Sequence, residues 1–195
     1  ELLRAKITYG DADIIFVTQD GNAIRFNETD VRPMGRTASG VKAISLREGD
    51  VAVCMDIAVE DEKLLVVSEN GYGKRTNLDE YKVQNRGGIG LITYKVSDKT
   101  GKVVGATVCK EDDELMLINN QGVAIRINVS DISVTSRSAM GVKLMRTLED
   151  EAVVTIAKIS GDTNEEEEEM TLLDESEDTN IIVEEVATEV KDEEN

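Results

Sequence analysis

The chain has no histidine and no tryptophan, a single proline, two cysteines and only 3% aromatic residues among its 195 positions. Each shortage excludes something. Without histidine, Ser-His-Asp and Cys-His nucleophilic systems are ruled out. Cys54 and Cys109, each isolated in an apolar stretch, cannot assemble a zinc site. Two thiols without a disulfide framework suit a reducing cytosol. No apolar run reaches the length of a membrane helix, and no stretch reads as a signal peptide. The lone Pro33, with no 3.6-residue apolar period sustained over ten residues, predicts a body without helices. Nothing supplies a nucleophile together with its base, so no catalytic residue, metal site or cofactor is expected in this chain.

Charge is abundant and unevenly placed. Of 40 acidic and 22 basic residues, residues 161–195 hold 16 Asp/Glu and one Lys, whereas residues 1–160 carry 24 acidic and 21 basic side chains. The sequence therefore divides into a body, 1–160, and an acidic C-terminal tail, 161–195. The Glu165–Glu169 run leaves the tail too little apolar surface to offset the entropy of ordering, and disorder is expected there. Its apolar island, Asn180 to Val186, admits a second reading, in which the tail lays carboxylates over a basic surface of the body and regulates it. Glu1 falls inside a strand-like pattern, so the chain reads as part of something longer.

The body repeats. Gly21, Gly71 and Gly122 stand in the contexts TQDGNAIRF, SENGYGKRT and NNQGVAIRI. Four residues beyond each glycine comes Arg25, Arg75 or Arg126; fifteen beyond, Arg36, Arg86 or Arg137; nineteen beyond, Gly40, Gly90 or Gly141. Four coincident registers define three tandem units, near 10–58, 60–109 and 111–159. Within a unit, the runs Ile14 to Thr18, Leu64 to Ser68 and Leu115 to Asn119 lead into Asp-Gly, Asn-Gly or Gln-Gly turns and a return strand, the pattern of a hairpin. A third strand is expected after the second glycine (Val41 to Leu46, Leu91 to Val96, Val142 to Arg146). A fourth is expected before the next hairpin (Val51 to Ala58, Val103 to Cys109, Val153 to Ile159). The expected fold is all-β, a propeller-like stack of about three four-stranded blades plus a partial one at Glu1 to Thr8, forming an open half-ring.

Equivalent units would place equivalent arginines along one rim. A guanidinium presents a planar fork of donors that suits phosphate oxygens, and a row of them at blade spacing can follow a sugar-phosphate backbone without reading bases. Arg32, Lys42, Lys74, Lys82, Lys143 and Arg146 lie in the same loops and strands. The scarcity of aromatics disfavours stacking on single strands and favours the duplex backbone. The opposing reading is that the arginines lace blades together through Glu28 or Asp30, Asp79 or Glu80, and Asp131. For Arg25, Arg75 and Arg126, on strands, both readings stay open; for Arg36, Arg86 and Arg137, in Gly-rich loops, contact with a ligand is favoured. The loop Gln84-Asn85-Arg86-Gly87-Gly88-Ile89-Gly90 lacks the Lys-Ser/Thr pair of a nucleotide-binding P-loop.

The strings NETDVRPMGRTASGVK, SENGYGKRT, QNRGGIG and INVSDISVTSRSAMGVKLM resemble the C-terminal domain of the DNA gyrase A subunit, of the bacterial type IIA topoisomerases, over residues 1 to about 160. The resemblance implies a six-bladed β-pinwheel whose basic rim wraps duplex DNA with positive handedness, as the non-catalytic part of an ATP-dependent isomerase. It implies DNA-facing positions at Arg25, Arg36, Lys42, Lys74, Arg75, Arg86, Arg126, Arg137 and Lys143. Its implied partners are duplex DNA, the remainder of gyrase A, and gyrase B, in the bacterial cytoplasm. The gyrase box, a Gln-basic-basic-Gly-Gly-basic-Gly heptad, is only approximated by QNRGGIG, with Asn85 and Ile89 at basic places. Alternatives are the topoisomerase IV paralogue or a propeller scaffold that binds another protein.

Overall fold

The computed structural model describes residues 2–161, and the expectations for the tail lie outside them. The first hairpin is β1 (Asp13–Thr18) and β2 (Asn22–Asn27), followed by β3 (Ala52–Ala58). The second unit supplies β4 (Lys63–Ser68), β5 (Tyr72–Asn77), β6 (Leu91–Ile92) and β7 (Val103–Cys109). The third supplies β8 (Glu114–Asn119), β9 (Ala124–Asn128), β10 (Val142–Lys143) and β11 (Val153–Ile159). The only helices among the described residues are one-turn 3-10 segments after each hairpin, at Glu28–Asp30, Leu78–Glu80 and Val129–Asp131. The fold is all-β and propeller-like, as the repeat period implies.

Three antiparallel sheets result, in the orders β3-β1-β2-β6, β7-β4-β5-β10 and β11-β8-β9. Four strands were expected within each unit, but the fourth strand of a sheet is lent by the following unit. Leu91 and Ile92 pair with Ala23 and Asn22, and Val142 and Lys143 pair with Gly73 and Tyr72. These lent strands are two residues long, shorter than the runs expected from sequence, and Val41 to Leu46 forms no strand, with no preceding hairpin beside it among the described residues. The outer strands fall where the β-branched runs put them: β3 on β1, β7 on β4, β11 on β8.

The two joints between units share one construction. The Gly21 carbonyl accepts the N–H groups of Thr93 at 2.8 Å and Tyr94 at 3.0 Å; the Gly71 carbonyl accepts those of Leu144 at 2.8 Å and Met145 at 3.1 Å. The Arg25 carbonyl accepts from Gln84 at 2.8 Å, and that of Arg75 from Thr135 at 2.8 Å. So close an approach is open only to glycine at the turn. A β-carbon at Gly21 would meet the Tyr94 oxygen at 2.2 Å, and one at Gly71 the Met145 oxygen at 2.1 Å, while φ of +80° and +71° already disfavours any other residue.

The core sits between sheets. Leu64 and Val66 of β4 pack toward Ile15, Val17 and Cys54 of the first sheet, while Leu65 and Val67 pack toward Leu115, Leu117 and Val153 of the third. Burial on both faces is why β4 reads Leu-Leu-Val-Val without alternation. In β8 only alternate residues are fully buried, and β1 alternates likewise from Ile14 to Val17, these being the outermost hairpin strands among the described residues. Burial pushes the thiols of Cys54 and Cys109 up to about 12, which leaves them protonated and unreactive at neutral pH.

Candidate nucleic-acid interface

The two arginine registers have different fates. Arg25, on β2, donates Nε and Nη2 to Asp13 at 2.9 and 2.8 Å, and Nη1 to the Leu78 carbonyl of the next unit at 2.9 Å. Arg75, on β5, donates Nε to the Ile132 carbonyl at 2.7 Å and Nη2 to that of Ser130 at 3.2 Å, both in the next unit, and Nη1 pairs with Glu111 at 2.5 Å. Its side chain is 5% exposed. Both arginines are staples between consecutive units, with forks spent on the 3-10 turn that follows. Arg126, in the same register on β9, is 57% exposed and pairs with Glu114. No following unit stands beside it among the described residues.

Two of the residues offered as phosphate contacts, Arg25 and Arg75, sit in the joints, where carboxylates and backbone carbonyls take three of the five donors of each. The acids they use are not those foreseen. Asp13 and Glu111 serve in place of Glu28, Asp30, Asp79 or Asp131, because the side chains of β2 and β5 face a neighbouring strand and the next outer loop. Lys74, offered with them, lies deeper still. It is fully buried, and its ammonium donates to the carbonyls of Ser136, at 2.7 Å, and Arg137, beneath the Tyr94 ring. Burial lowers its pKa to about 8, against the opposing pull of Glu80. It fixes the loop that bears Arg137 from within.

The second register stays at the surface. Arg36 and Lys42 are exposed, and their side chains make no hydrogen bond or ion pair among the described residues. Arg86 donates Nε to the Asp30 carbonyl at 3.0 Å and Nη1 to that of Lys42 at 3.1 Å. Arg137 donates Nη1 to the Ile92 carbonyl at 3.2 Å, with Glu80 accepting its backbone N–H at 3.1 Å and lying 4.0 Å from its Nε. Lys42 and Ile92 stand at the same place in successive units, so Arg86 and Arg137 are held alike against the loop of the unit before. A guanidinium has five N–H donors; two are spent on carbonyls at Arg86 and one at Arg137. Lys143, exposed, donates to the Asn70 carbonyl at 2.7 Å and lies 4.7 Å from the Tyr72 ring centroid.

Sequence reasoning missed the residues that hold these loops. Ser45 binds the Gly88 and Gly87 carbonyls through its N–H, at 2.8 Å, and its hydroxyl, at 2.7 Å, which seats the loop of Arg86. Tyr94 donates to the Met140 carbonyl at 2.8 Å, steadying the loop of Arg137. For Ser45 no signal stood in the sequence. For Lys74 one did: it occupies the place of Ile24 and Ile125 in the other units, an apolar position.

A stack of pinwheel blades joined by lent strands, with anchored arginines repeating along its loops, defines the class. A family model described as the DNA gyrase C-terminal domain, beta-propeller, matches residues 12–53, 62–110 and 113–160, and the chain belongs to that family. The DNA gyrase A subunit of Clostridium acetobutylicum is 59% identical over 169 residues, 87% of this chain and 20% of the relative. The chain thus spans about a fifth of the length of such relatives. A solved C-terminal domain of DNA topoisomerase IV superposes with a TM-score of 0.78 at 25% identity, covering 85% of this chain and 52% of the other. A solved DNA gyrase A C-terminal domain superposes with 0.72 at 34% identity, covering 78% and 52%. Together with the sequence relative, the higher identity places the chain nearer to gyrase A than to its paralogue.

Proposed function

We propose that residues 12–160 bind and wrap duplex DNA through its phosphates, as the non-catalytic C-terminal part of a bacterial, cytoplasmic gyrase A protein that supports ATP-dependent negative supercoiling with the rest of that protein and with gyrase B. One observation carries the reading: at a single register of consecutive units, Arg86 and Arg137 are anchored on one side to backbone carbonyls of the preceding loop and keep donors to spare. A guanidinium held in this way loses little freedom on meeting a phosphate, and anchored groups at blade spacing suit a continuous backbone better than an isolated anion. Arg36, Lys42 and Lys143 extend the same surface. The withdrawal of Arg25, Lys74 and Arg75 into the joints leaves the contact set on the loops.

Replacing Arg36, Arg86 and Arg137 together by Ala tests this. Affinity should fall to a similar degree for every duplex sequence, and the log-log salt slope should shrink by roughly 0.9 for each phosphate no longer neutralised. Melting is followed on the same preparation, because Arg86 and Arg137 also touch the preceding unit. An unchanged salt slope, at equal folded fraction, would refute phosphate contact by these residues.

A further inference from the structure

The loop that leads to each outer strand is where the middle unit departs from its neighbours in charge. In the second unit, 95–102, it carries Lys95, Lys99 and Lys102 against Asp98 alone, whereas the corresponding loops 45–51 and 146–152 each hold one arginine among two or three acids. Hydrogen bonds fix the basic loop. The Asn70 side chain donates to the carbonyls of Asp98 and Lys99 at 3.1 Å each, and its N–H to that of Thr100 at 3.1 Å. Thr100 is fully buried, and its hydroxyl accepts the Ser97 N–H at 3.1 Å. Lys102 is spent on Asp20, 3.5 Å away. Lys99, exposed and with no ion pair among the described residues, places its ammonium 5.6 Å from the centroid of the Tyr72 ring. Lys143, from the third unit, converges on the same ring at 4.7 Å. Tyr72 packs against the core of the first two sheets, which makes its ring a fixed platform. Lys42 and Ile92, at the register of Lys143, stay exposed with a following unit beside them, so the openness of Lys143 belongs to the register.

We propose that Lys99 and Lys143, gathered on Tyr72, form a further phosphate-binding site, which receives the duplex backbone where it crosses from the second unit to the third. The inference rests on the reading of this chain as a duplex binder, and it adds a contact that the repeat does not contain. Two cations drawn to one ring repel each other, and an anion between or beside them relieves the repulsion. The ring holds each ammonium through its quadrupole without using its N–H groups. An ammonium has three such donors; Lys143 spends one on the Asn70 carbonyl, and Lys99 keeps all of its own. The two lie within about 10 Å of each other, a separation that fits successive charges of one strand, about 3.4 Å of helix axis apart, better than a lone small anion. The site also continues the arginine track. Arg86 and Arg137 are held by the carbonyls of Lys42 and Ile92, and Lys143 stands at that same register one unit further on. Because the equivalent loops of the first and third units are acidic, the backbone is drawn to this end of the sheets at the second unit and repelled from it at the other two.

The test follows duplex affinity of the complete 195-residue chain across a potassium chloride titration. Lys99→Ala should lower the log-log salt slope by roughly 0.9, the value of one phosphate no longer neutralised. Lys99→Arg should restore the slope, and neither variant should move the melting temperature. Lys102→Ala, in the same loop, should leave the slope unchanged, because Asp20 already balances that ammonium. In amide spectra, duplex should shift the resonances of Lys99 and Thr100, and inorganic phosphate at matched ionic strength should not. An unchanged slope for Lys99→Ala, or an equal fall for Lys102→Ala, would overturn the inference, and shifts caused by inorganic phosphate alone would assign the site to a free anion and overturn it as well. If Lys99→Ala keeps the wild-type slope while replacement of Arg36, Arg86 and Arg137 lowers it, this site falls and the proposed function stands. If neither lowers the slope, both fall.

Discussion

Substituting methionine at one register in three units separates joint residues from contact residues, because the structure gives that register three environments. Arg75→Met keeps the buried stem but removes the donors to Ile132 and Ser130 and the partner of Glu111. Glu111 is 56% exposed and retains Lys63 at 2.7 Å, so its loss counts little. The cost lies mainly at the Ile132 carbonyl, within a residue only 1% exposed. Losing two hydrogen bonds from a charged donor, one of them at a buried carbonyl, costs about 3–5 kcal/mol. At roughly 2–4 °C per kcal/mol for a body of this size, melting should fall by about 6–20 °C. Arg25→Met forfeits one carbonyl and Asp13 at a partly covered site, for about 2–3 kcal/mol. Arg126→Met loses an exposed ion pair worth under about 1 kcal/mol. Differential scanning calorimetry should therefore rank the losses Arg75, Arg25, Arg126, with duplex affinity per folded molecule unchanged for the first two. Equal melting points across the series, or an Arg75 variant that melts normally yet shows a shallower salt slope, would refute the assignment of this register to the joints.

The close approach at the turn glycines gives a second comparison. Alanine at Gly122 should cost only the positive φ, about 1–2 kcal/mol, whereas alanine at Gly71 adds a β-carbon 2.1 Å from the Met145 oxygen and should cost clearly more; equal denaturation midpoints would count against the lent-strand joint. Lys74 supplies a pH test. Its proton leaves the folded state near pH 8 and the unfolded chain near 10.5. Between those values the unfolded chain binds more protons, and stability relative to Lys74→Met should rise with pH, by up to about 3 kcal/mol. Below pH 8 both states hold the proton and the difference should be flat. A difference that stays level from pH 7 to 10.5 in urea titrations would contradict the buried charge.

The hairpins were legible because their signals are local: a β-branched run, a turn glycine and a return strand carry their own register within about fourteen residues. Outer strands such as β7 were legible as well, since Val103 to Cys109 is apolar but for Thr107 and is covered on both faces. What did not show was ownership. Leu91-Ile92 and Val142-Lys143 read as strands of their own units because their nearest hairpin in sequence belongs to those units. Their hydrogen bonds go instead to Ala23, Asn22, Gly73 and Tyr72, and no periodicity within fifty residues reveals a partner chosen from the unit before. Val41 to Leu46, at the same register of the first unit, forms no strand among the described residues.

The same nonlocality sorted the arginines. A side chain on a return strand points where the sheet points, and in β2 and β5 that direction is toward the next unit's 3-10 turn. There, uncovered carbonyls need donors, and a long stem crossing an apolar joint with a polar fork at its end meets that need. The repeat of arginine four residues past the glycine therefore follows from the repeat of joints, and says nothing by itself about a ligand. Arginine fifteen residues past the glycine sits beyond the sheet, in a loop whose backbone is already paired to the preceding unit through Gly87 and Ala43 or through Lys74 and Ser136. A fork placed on so well held a loop can satisfy one or two carbonyls and still face outward. Recurrence at a fixed period identified both sets as important. Only the direction of the strand, and the count of donors left over, distinguishes a residue that binds the protein to itself from one with donors free to meet a phosphate.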